Sequence, residues 1–244
     1  MKTSERPFVL SIAGLDPCGG AGILADIKTF EQLKVSGMTV MTANTLQTEN
    51  HFYELHWQAT ADICRHLRVL MQQYPIDVVK IGIVKDASML QEIVRCIRQY
   101  SEKAFITWDP VLKSSTGHIF FEGFDDMVLA DTLHAIDLIT PNLSEHQLLE
   151  PYLPNAKAIL LKGGHSKDNP GLDLLYLQEQ VISLPPNTKQ AYTKHGSGCV
   201  LSAAIAAYIA RGNTITEACR LAKIYVEQFL NSHPTLLGYH HHAE

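Results

Sequence analysis

Residues 8–30 read FVLSIAGLDPCGGAGILADIKTF, and this stretch decides the fold class. A short apolar run is followed by a glycine-rich turn, and the turn is followed by apolar residues at helical spacing, Ile23, Ile27 and Phe30. That order predicts a buried strand, a tight loop and an amphipathic helix. Short apolar runs and helical patterns keep alternating along the chain, so this is predicted to be the first of several strand–loop–helix units.

The predicted strands are short, rich in Val or Ile, and separated by helical patterns. They cover residues 8–13, 38–42, 78–81, 104–108, 137–139 and 158–162, and the helices cover residues 22–34, 60–74, 88–100, 125–135 and 144–149. An antiparallel pair at 172–177 and 180–184 and two helices at 197–211 and 216–230 follow. Uniformly apolar strands separated by helices are typical of a parallel sheet covered on both faces. We therefore predict a single α/β domain over residues 1–244, with a central, mostly parallel sheet flanked by helices on both faces.

The composition argues against several classes of protein. Of the 244 residues, 46% are hydrophobic and 18% are charged, and the formal net charge is -5 without a long basic stretch, so no nucleic-acid partner is expected. The five cysteines include no C-x-x-C pair, which argues against a disulfide framework or a zinc cluster and favours a reducing compartment. The first apolar run is too short for a signal peptide, and no run is long enough to span a membrane. We expect a cytoplasmic protein.

The first glycine loop, residues 14–22, joins a predicted strand to a predicted helix. In an open parallel sheet, ligands bind beyond the carboxyl ends of the strands, where backbone N–H groups at a helix start are available. The loop matches neither the Walker A motif nor G-x-G-x-x-G, so a tight turn and a ligand-binding loop both stay open. Asp26 in the following helix is either a charge stabilised by the helix dipole or a carboxylate that hydrogen-bonds a polar substrate group.

The second glycine loop, KHGSGC at residues 194–199, opens a long apolar helix. Successive backbone N–H groups there would form an anion hole, with Lys194 and His195 adding charge nearby. The residues of this hole are Gly196, Ser197, Gly198 and Cys199. Because Cys199 lies in the first helical turn, we predict a thiol more acidic than a free one, with a buried structural cysteine as the alternative. Ser197 is not part of a G-x-S-x-G elbow, which argues against a hydrolase nucleophile.

The segment TPNLSEH follows another predicted strand. Ser144 and Gln147 have the spacing of a capping box, which would give Glu145 a structural role as a first-turn acid. In the functional interpretation, Asn142 and Glu145 lie near a metal–phosphate group, and Asp109 at another strand end shares that role. Carboxylates, amides and waters are the usual surroundings of Mg²⁺.

Lys162 ends a predicted strand just before Gly163 and Gly164, a position that suits a lysine in contact with a phosphate. Two glycine loops, a strand-end lysine and acids suited to magnesium together indicate phosphoryl transfer, in which catalysis consists of positioning and charge stabilisation. From the residues alone, the prediction is an α/β enzyme that uses a nucleotide or a phosphate.

Six segments in chain order resemble the hydroxymethylpyrimidine/phosphomethylpyrimidine kinases of thiamine biosynthesis, a family within the ribokinase-like superfamily. The segments are SIAGLDPCGGAGILADIKTF, VKIGIV, WDPVLKSSTG, LITPNLSE, LLKGGH and KHGSGCVLSAAIAA, from about residue 10 to residue 207. The resemblance implies a three-layer ribokinase-like fold that uses ATP and Mg²⁺. It implies transfer of the γ-phosphoryl group to 4-amino-5-hydroxymethyl-2-methylpyrimidine, a second transfer that turns the monophosphate into the diphosphate, and a homodimer.

The resemblance also implies which residues surround the pyrimidine. Asp26 matches the residue that binds the polar edge of the ring. The other positions that line or adjoin this pocket are Gly14, Ala21, Gln47, Ile83 and Val111.

On the phosphate side, the resemblance places Asn142 and Glu145 beside the magnesium and the phosphates, with Asp109 nearby. Lys162 matches the lysine that binds the ATP phosphates. The loop of Gly196, Ser197, Gly198 and Cys199 matches the anion hole, where Ser197 also adjoins the ATP phosphates.

Cys199 stands where most sugar kinases of this superfamily carry aspartate as the general base, and a cysteine there is found in the pyrimidine kinases and some pyridoxal-type kinases. We therefore predict that Cys199 is the general base, provided that its pKa is low enough. Two other functions stay open: a pyridoxal or pyridoxine kinase on the same fold, and a non-catalytic pyrimidine-binding protein.

Overall fold

The computed structural model describes residues 6–114, 117–164, 168–188 and 191–240. Within these ranges the strands are β1 (Phe8–Leu15), β2 (Ser36–Gln47), β3 (Phe52–Trp57), β4 (Ile76–Ile81), β5 (Phe105–Trp108), β6 (Leu138–Ile139), β7 (Ala158–Leu161), β8 (Asp173–Leu177) and β9 (Gln180–Leu184). They form one sheet in the order β3-β2-β1-β4-β5-β6-β7-β8-β9. The strands β2, β1, β4, β5, β6 and β7 run parallel to one another. At the edges of the sheet, β3 pairs with β2, β8 with β7, and β9 with β8, each in antiparallel orientation.

The helices cover both faces of the sheet, as predicted. They are α1 (Gly22–Gln32), α2 (Thr60–Gln73), α3 (Ala87–Tyr100), α4 (Asp126–His134), α5 (Leu143–Leu149), α6 (Ser197–Ala210) and α7 (Ile215–Leu230). Side chains of a strand point alternately to opposite faces. On β1, Val9 packs with residues of α1, α6 and α7, whereas Leu10 and Ile12 pack with residues of α2, α3 and α4. The result is a three-layer fold with a core on each side of the sheet.

α6 is buried along most of its length, from Val200 to Tyr208. It contacts α1, α7 and the central strands β1, β4 and β5. Its many alanines let neighbouring backbones approach closely, so the apolar run following the second glycine loop is a core helix, as predicted. The helix therefore packs on the central strands of the sheet.

Most predicted elements are confirmed, with ends shifted by a few residues, but β3 was missed. This edge strand exposes part of its side chains, Tyr53 among them, so it lacks the uniformly apolar run on which the other predictions rested. It pairs with β2 in antiparallel orientation and extends that strand to Gln47. None of the described helices is both long enough and apolar enough to cross a bilayer.

Candidate active site

The carboxyl ends of the parallel strands all lie on one side of the molecule. The predicted site residues lie at or just beyond these ends. Gly14 and Gln47 are near the ends of β1 and β2. Ile83, Asp109, Val111 and Lys162 follow later strands, and the starts of α5 and α6 supply Asn142, Glu145 and the second glycine loop. The topology thus brings residues that are distant in sequence together at the carboxyl ends of the strands.

Lys162 lies at the centre of a buried charge cluster. Its Nζ is 2.7 Å from Asp109 Oδ1 and 3.9 Å from Glu145 Oε2. Thr140 and Ser202 donate hydrogen bonds to the two oxygens of Asp109, over 3.0 and 3.2 Å. Burial alone would raise the pKa of Asp109, but nearby ammonium groups, chiefly that of Lys162, outweigh it and hold this pKa below its ordinary value. Asp109 is therefore a carboxylate at neutral pH.

Glu145 has a different protonation behaviour from Asp109. Burial raises the pKa of Glu145 to about 7; the Lys162 ammonium opposes this rise, and the Asp109 carboxylate adds to it. Near neutrality, Glu145 is thus divided between its acid and carboxylate forms.

α5 begins with a capping box, but not the one predicted. Asn142 Oδ1 accepts the N–H of Glu145 over 2.9 Å, and Glu145 Oε2 accepts the N–H of Asn142 over 2.7 Å. The predicted pair of Ser144 and Gln147 was wrong, because Ser144 lies inside the first turn and donates its hydroxyl to Asn142 Oδ1 over 2.7 Å. The box holds the Glu145 carboxyl group beside Lys162.

The second glycine loop faces this charge cluster. Gly196 has a φ of 73°, and a Cβ there would lie 2.0 Å from the carbonyl oxygen of Gly20, so the position requires glycine. A Cβ on Gly198 would lie 3.4 Å from Lys162 Nζ and 3.8 Å from Asp109 Oδ2. Backbone N–H groups at the N-terminus of α6 and a lysine ammonium are thus close together, an arrangement that suits a phosphate.

Cys199 is half-buried in the first turn of α6. Burial raises the pKa of its thiol to about 11, with the Lys80 ammonium opposing the rise and the Asp109 and Asp26 carboxylates adding to it. The prediction of an acidic thiol was wrong, because the loss of hydration outweighs the favourable field of the helix N-terminus. At neutral pH Cys199 is a thiol in this structure.

Asp26 is fully buried and forms an ion pair with Lys80, a residue of β4. The Lys80 Nζ lies 3.0 and 2.8 Å from the two Asp26 oxygens, and the Ser11 hydroxyl donates to Oδ2 over 2.5 Å. The helix dipole does not explain this carboxylate, since the first turn of α1 holds no acidic residue. Lys80 was missed because a lysine inside an apolar strand gives no local signal. A contact of Asp26 with substrate stays a prediction.

Asp16, which no sequence pattern singled out, organises the first glycine loop. Its buried carboxylate accepts hydrogen bonds from the N–H groups of Cys18, Gly20 and Ala21 over 3.0, 3.1 and 2.8 Å. The Cys18 thiol donates to Asp16 Oδ2 over 3.1 Å, and His195 Nε2 of the second loop lies 3.0 Å from that oxygen. One carboxylate therefore joins the two glycine loops.

Two of the residues predicted to surround the pyrimidine, Gly14 and Ile83, are in contact with each other. A Cβ on Gly14 would lie 2.4 Å from Ile83 Cδ1, so the absence of a side chain at Gly14 is what admits Ile83. Thr42 fixes that segment by donating to the Ile83 carbonyl over 2.8 Å. Ala21, Gln47 and Val111 are half-buried. Contacts of these residues with a substrate stay a prediction.

Known proteins resemble this chain over most of its length. The family model described as phosphomethylpyrimidine kinase matches residues 16–155 and 146–243. A hydroxymethylpyrimidine/phosphomethylpyrimidine kinase of Aquifex aeolicus is 31% identical over 250 residues, covering 95% of this chain and 98% of that protein.

Solved structures share the fold. The crystal structure of a phosphomethylpyrimidine kinase from Clostridium difficile 630 has a TM-score of 0.74 and 30% identity, covering 91% of this chain and 98% of that one. An ADP complex of a pyridoxal kinase from Bacillus subtilis has a TM-score of 0.78 and 26% identity, covering 94% and 93%.

Proposed function

The chain belongs to the phosphomethylpyrimidine kinase family and is a phosphotransferase, and we propose that it phosphorylates hydroxymethylpyrimidine and then its monophosphate, using ATP. The observation that carries this proposal is the cluster of Lys162, Asp109 and Glu145 directly below the second glycine loop. Positioning and charge stabilisation are what phosphoryl transfer requires of a protein, and this cluster provides both. The single sheet supports treating residues 1–244 as one kinase domain.

The proposed reaction takes place between the two glycine loops. A bond forms between the hydroxymethyl oxygen and the γ-phosphorus, the bond from phosphorus to the ADP oxygen breaks, and the hydroxyl loses its proton. Lys162 and the N–H groups of Gly196, Ser197 and Gly198 stabilise the charge on the moving group, with Asn142 beside it. In this proposal the pyrimidine is bound by Asp26, Gln47 and the wall of Gly14, Ala21, Ile83 and Val111.

Cys199 is proposed to accept the hydroxyl proton. Its thiol must first lose its own proton to solvent, and the Lys80 ammonium favours the resulting thiolate, because it lowers the pKa that burial raises. In a loose transition state the attacking hydroxyl needs little activation before the bond to phosphorus forms. Proton transfer can therefore come late, when the hydroxyl has become more acidic.

Asp109 and Glu145 are proposed to hold Mg²⁺, directly or through waters. The fit rests on their chemistry: an oxygen of each carboxyl group lies within 3.9 Å of Lys162 Nζ, so the two groups are near each other, and oxygen donors are those that Mg²⁺ prefers. When bound, the metal would neutralise charge on the ATP phosphates.

The test is a steady-state assay with ATP, Mg²⁺ and either hydroxymethylpyrimidine or pyridoxal, with mass-spectrometric detection of the products. We expect the pyrimidine monophosphate and then the diphosphate. Formation of monophosphate alone would limit the function to the first step, and absence of transfer to the pyrimidine would refute the proposal.

Pyridoxal kinase is the second candidate, because the Bacillus subtilis pyridoxal kinase has nearly the same fold. A kcat/KM for pyridoxal that exceeds the value for the pyrimidine would favour this function. We also propose a cytoplasmic location, which the free cysteines support. The homodimer implied by the resemblance is checked by light scattering on the purified protein.

A further inference from the structure

Asp16 and His195 join loops that are far apart in sequence. Their side chains are 1% and 10% exposed, and they meet at 3.0 Å between Asp16 Oδ2 and His195 Nε2. Burial alone would raise the pKa of Asp16, but the hydrogen bonds from His195, Cys18 and Ala21 outweigh it and hold the pKa below its ordinary value. The carboxylate is thus ionised, and both of its oxygens accept hydrogen bonds.

The two loops are also in close steric contact. A Cβ on Gly20 would lie 2.7 Å from His195 Cδ2, and a Cβ on Gly196 would lie 2.0 Å from the Gly20 carbonyl oxygen. The His195 backbone N–H is bound to the Leu236 carbonyl over 2.9 Å, which fixes this histidine from its other side. A shift of one loop would therefore displace the other.

Asp16, Cys18 and His195 could also be considered as metal ligands, since their ligand atoms all lie within 4.8 Å of one another. Against this, the buried Nδ1 of His195 has no hydrogen-bond partner among the described residues. A metal on Nε2 would leave the imidazole proton on Nδ1, whereas histidines that bind metals almost always donate that proton to an acceptor. With the proton on Nε2 and donated to Asp16, Nδ1 needs no acceptor, so the hydrogen-bonded form is favoured.

We infer that Asp16 and His195 are positioning residues that hold the first and the second glycine loop in register for phosphoryl transfer. The inference rests on the proposed kinase function. In this proposal His195 does not touch the reacting groups. Its Nε2–H fixes the Asp16 carboxylate, which in turn fixes the N–H groups of Gly20 and Ala21. Small displacements of bound reactants cost large factors in rate.

The test compares His195→Ala with His195→Gln in the pyrimidine kinase assay. Removal of the donor is expected to lower kcat roughly 10- to 100-fold with a smaller change in the KM for ATP, since misplacement by about 1 Å costs about 100-fold. Glutamine places an N–H donor near the position of Nε2 and is expected to restore most of the loss. His134→Ala, on an exposed residue at the end of α4, is the matched control and is expected to be unchanged.

A double-mutant cycle with Asp16→Asn identifies the partner. In the Asp16→Asn background, His195→Ala is expected to cost much less than in the wild-type protein, because the bond is already weakened. Full additivity, a glutamine variant as slow as the alanine variant, or an alanine variant with unchanged kcat would each overturn the inference. A wild-type protein without kinase activity would refute the proposed function instead. Thermal unfolding of each variant identifies any loss of kcat that comes from a loss of folded protein.

Discussion

Cys199 shows how one residue can match a position in a family and still differ from the simplest expectation of its chemistry. The position at the start of α6 fits a proton acceptor, yet burial raises its pKa to about 11. The thiolate fraction of such a group increases with pH throughout the neutral and alkaline range. In the proposed mechanism, the activity of the enzyme therefore depends on the ionisation of this one thiol.

Replacing Cys199 by Ala is expected to lower kcat by about 100- to 10,000-fold, the usual contribution of a general base, with ATP affinity unchanged by calorimetry. Cys199→Asp should retain more activity and lose the rise of kcat with pH that we expect for the wild type. Cys219→Ala, on a buried cysteine of α7, is the control. Near-normal turnover by the Cys199→Ala protein would contradict the assignment.

Glu145 leads to a prediction about pH and stability. Its pKa is raised from 4.5 to about 7, so the folded protein holds this proton more tightly than the unfolded chain. Its contribution to stability is fully present below pH 4.5 and is lost as the pH rises through 7. In the presence of a chelator, the free energy of unfolding relative to Glu145→Gln should fall by about 3 kcal/mol across that window. Urea titrations at several pH values measure this difference between the two proteins. A difference that does not change with pH would contradict the prediction.

The sequence located individual residues of the site better than it located their partners. Lys162, Asp109 and Glu145 were selected because strand ends and helix starts leave local patterns. The partner of Asp26 is 54 residues away in the sequence, at Lys80, and no local pattern connects them. Burial was equally invisible, and it is what reversed the expected acidity of Cys199.

At the scale of elements, the second glycine loop depends on a backbone conformation and on space. Gly196 and Gly212 both have positive φ, at 73° and 89°, but only Gly196 has a backbone atom within reach of an added Cβ. Gly196→Ala is therefore expected to displace the loop and lower kcat by about 100-fold or more.

Gly212→Ala, just beyond the end of α6, is the matched control. It should cost about 1–2 kcal/mol of stability through its positive φ, with kcat unchanged. Similar kcat values for the two variants would mean that the contact between the loops is not needed for catalysis.

The errors in the predicted helices and strands have identifiable physical reasons. The start of α5 has two overlapping capping signals, and Asn142 with Glu145 formed the box because Ser144 lies one residue inside the helix. β3 is half exposed at the edge of the sheet, so it lacks the apolar run of a central strand. The central strands and α6 were predictable, since residues buried on all sides are uniformly apolar.

At the scale of the whole molecule, the buried pair of Lys80 and Asp26 joins β4 to α1 beneath the site. Lys80→Met is expected to destabilise the protein by about 3–5 kcal/mol, because it leaves an unpaired buried carboxylate. The double variant Lys80→Met with Asp26→Leu should recover most of that loss. Lys85→Met, on an exposed ion pair with Glu122, should cost less than about 1 kcal/mol. Equal losses in denaturant titrations would contradict the prediction.

The hydrogen bond between Asp16 and His195 spans 179 residues, and this separation has a consequence for biosynthesis. Before the ribosome reaches α6, β1, β2 and β4 can already pair with one another, because all three precede α6 in the sequence. The loop that must meet Asp16 does not yet exist. The proposed catalytic centre is thus completed only after α6 has been synthesised, and we predict that a product truncated before α6 has no kinase activity.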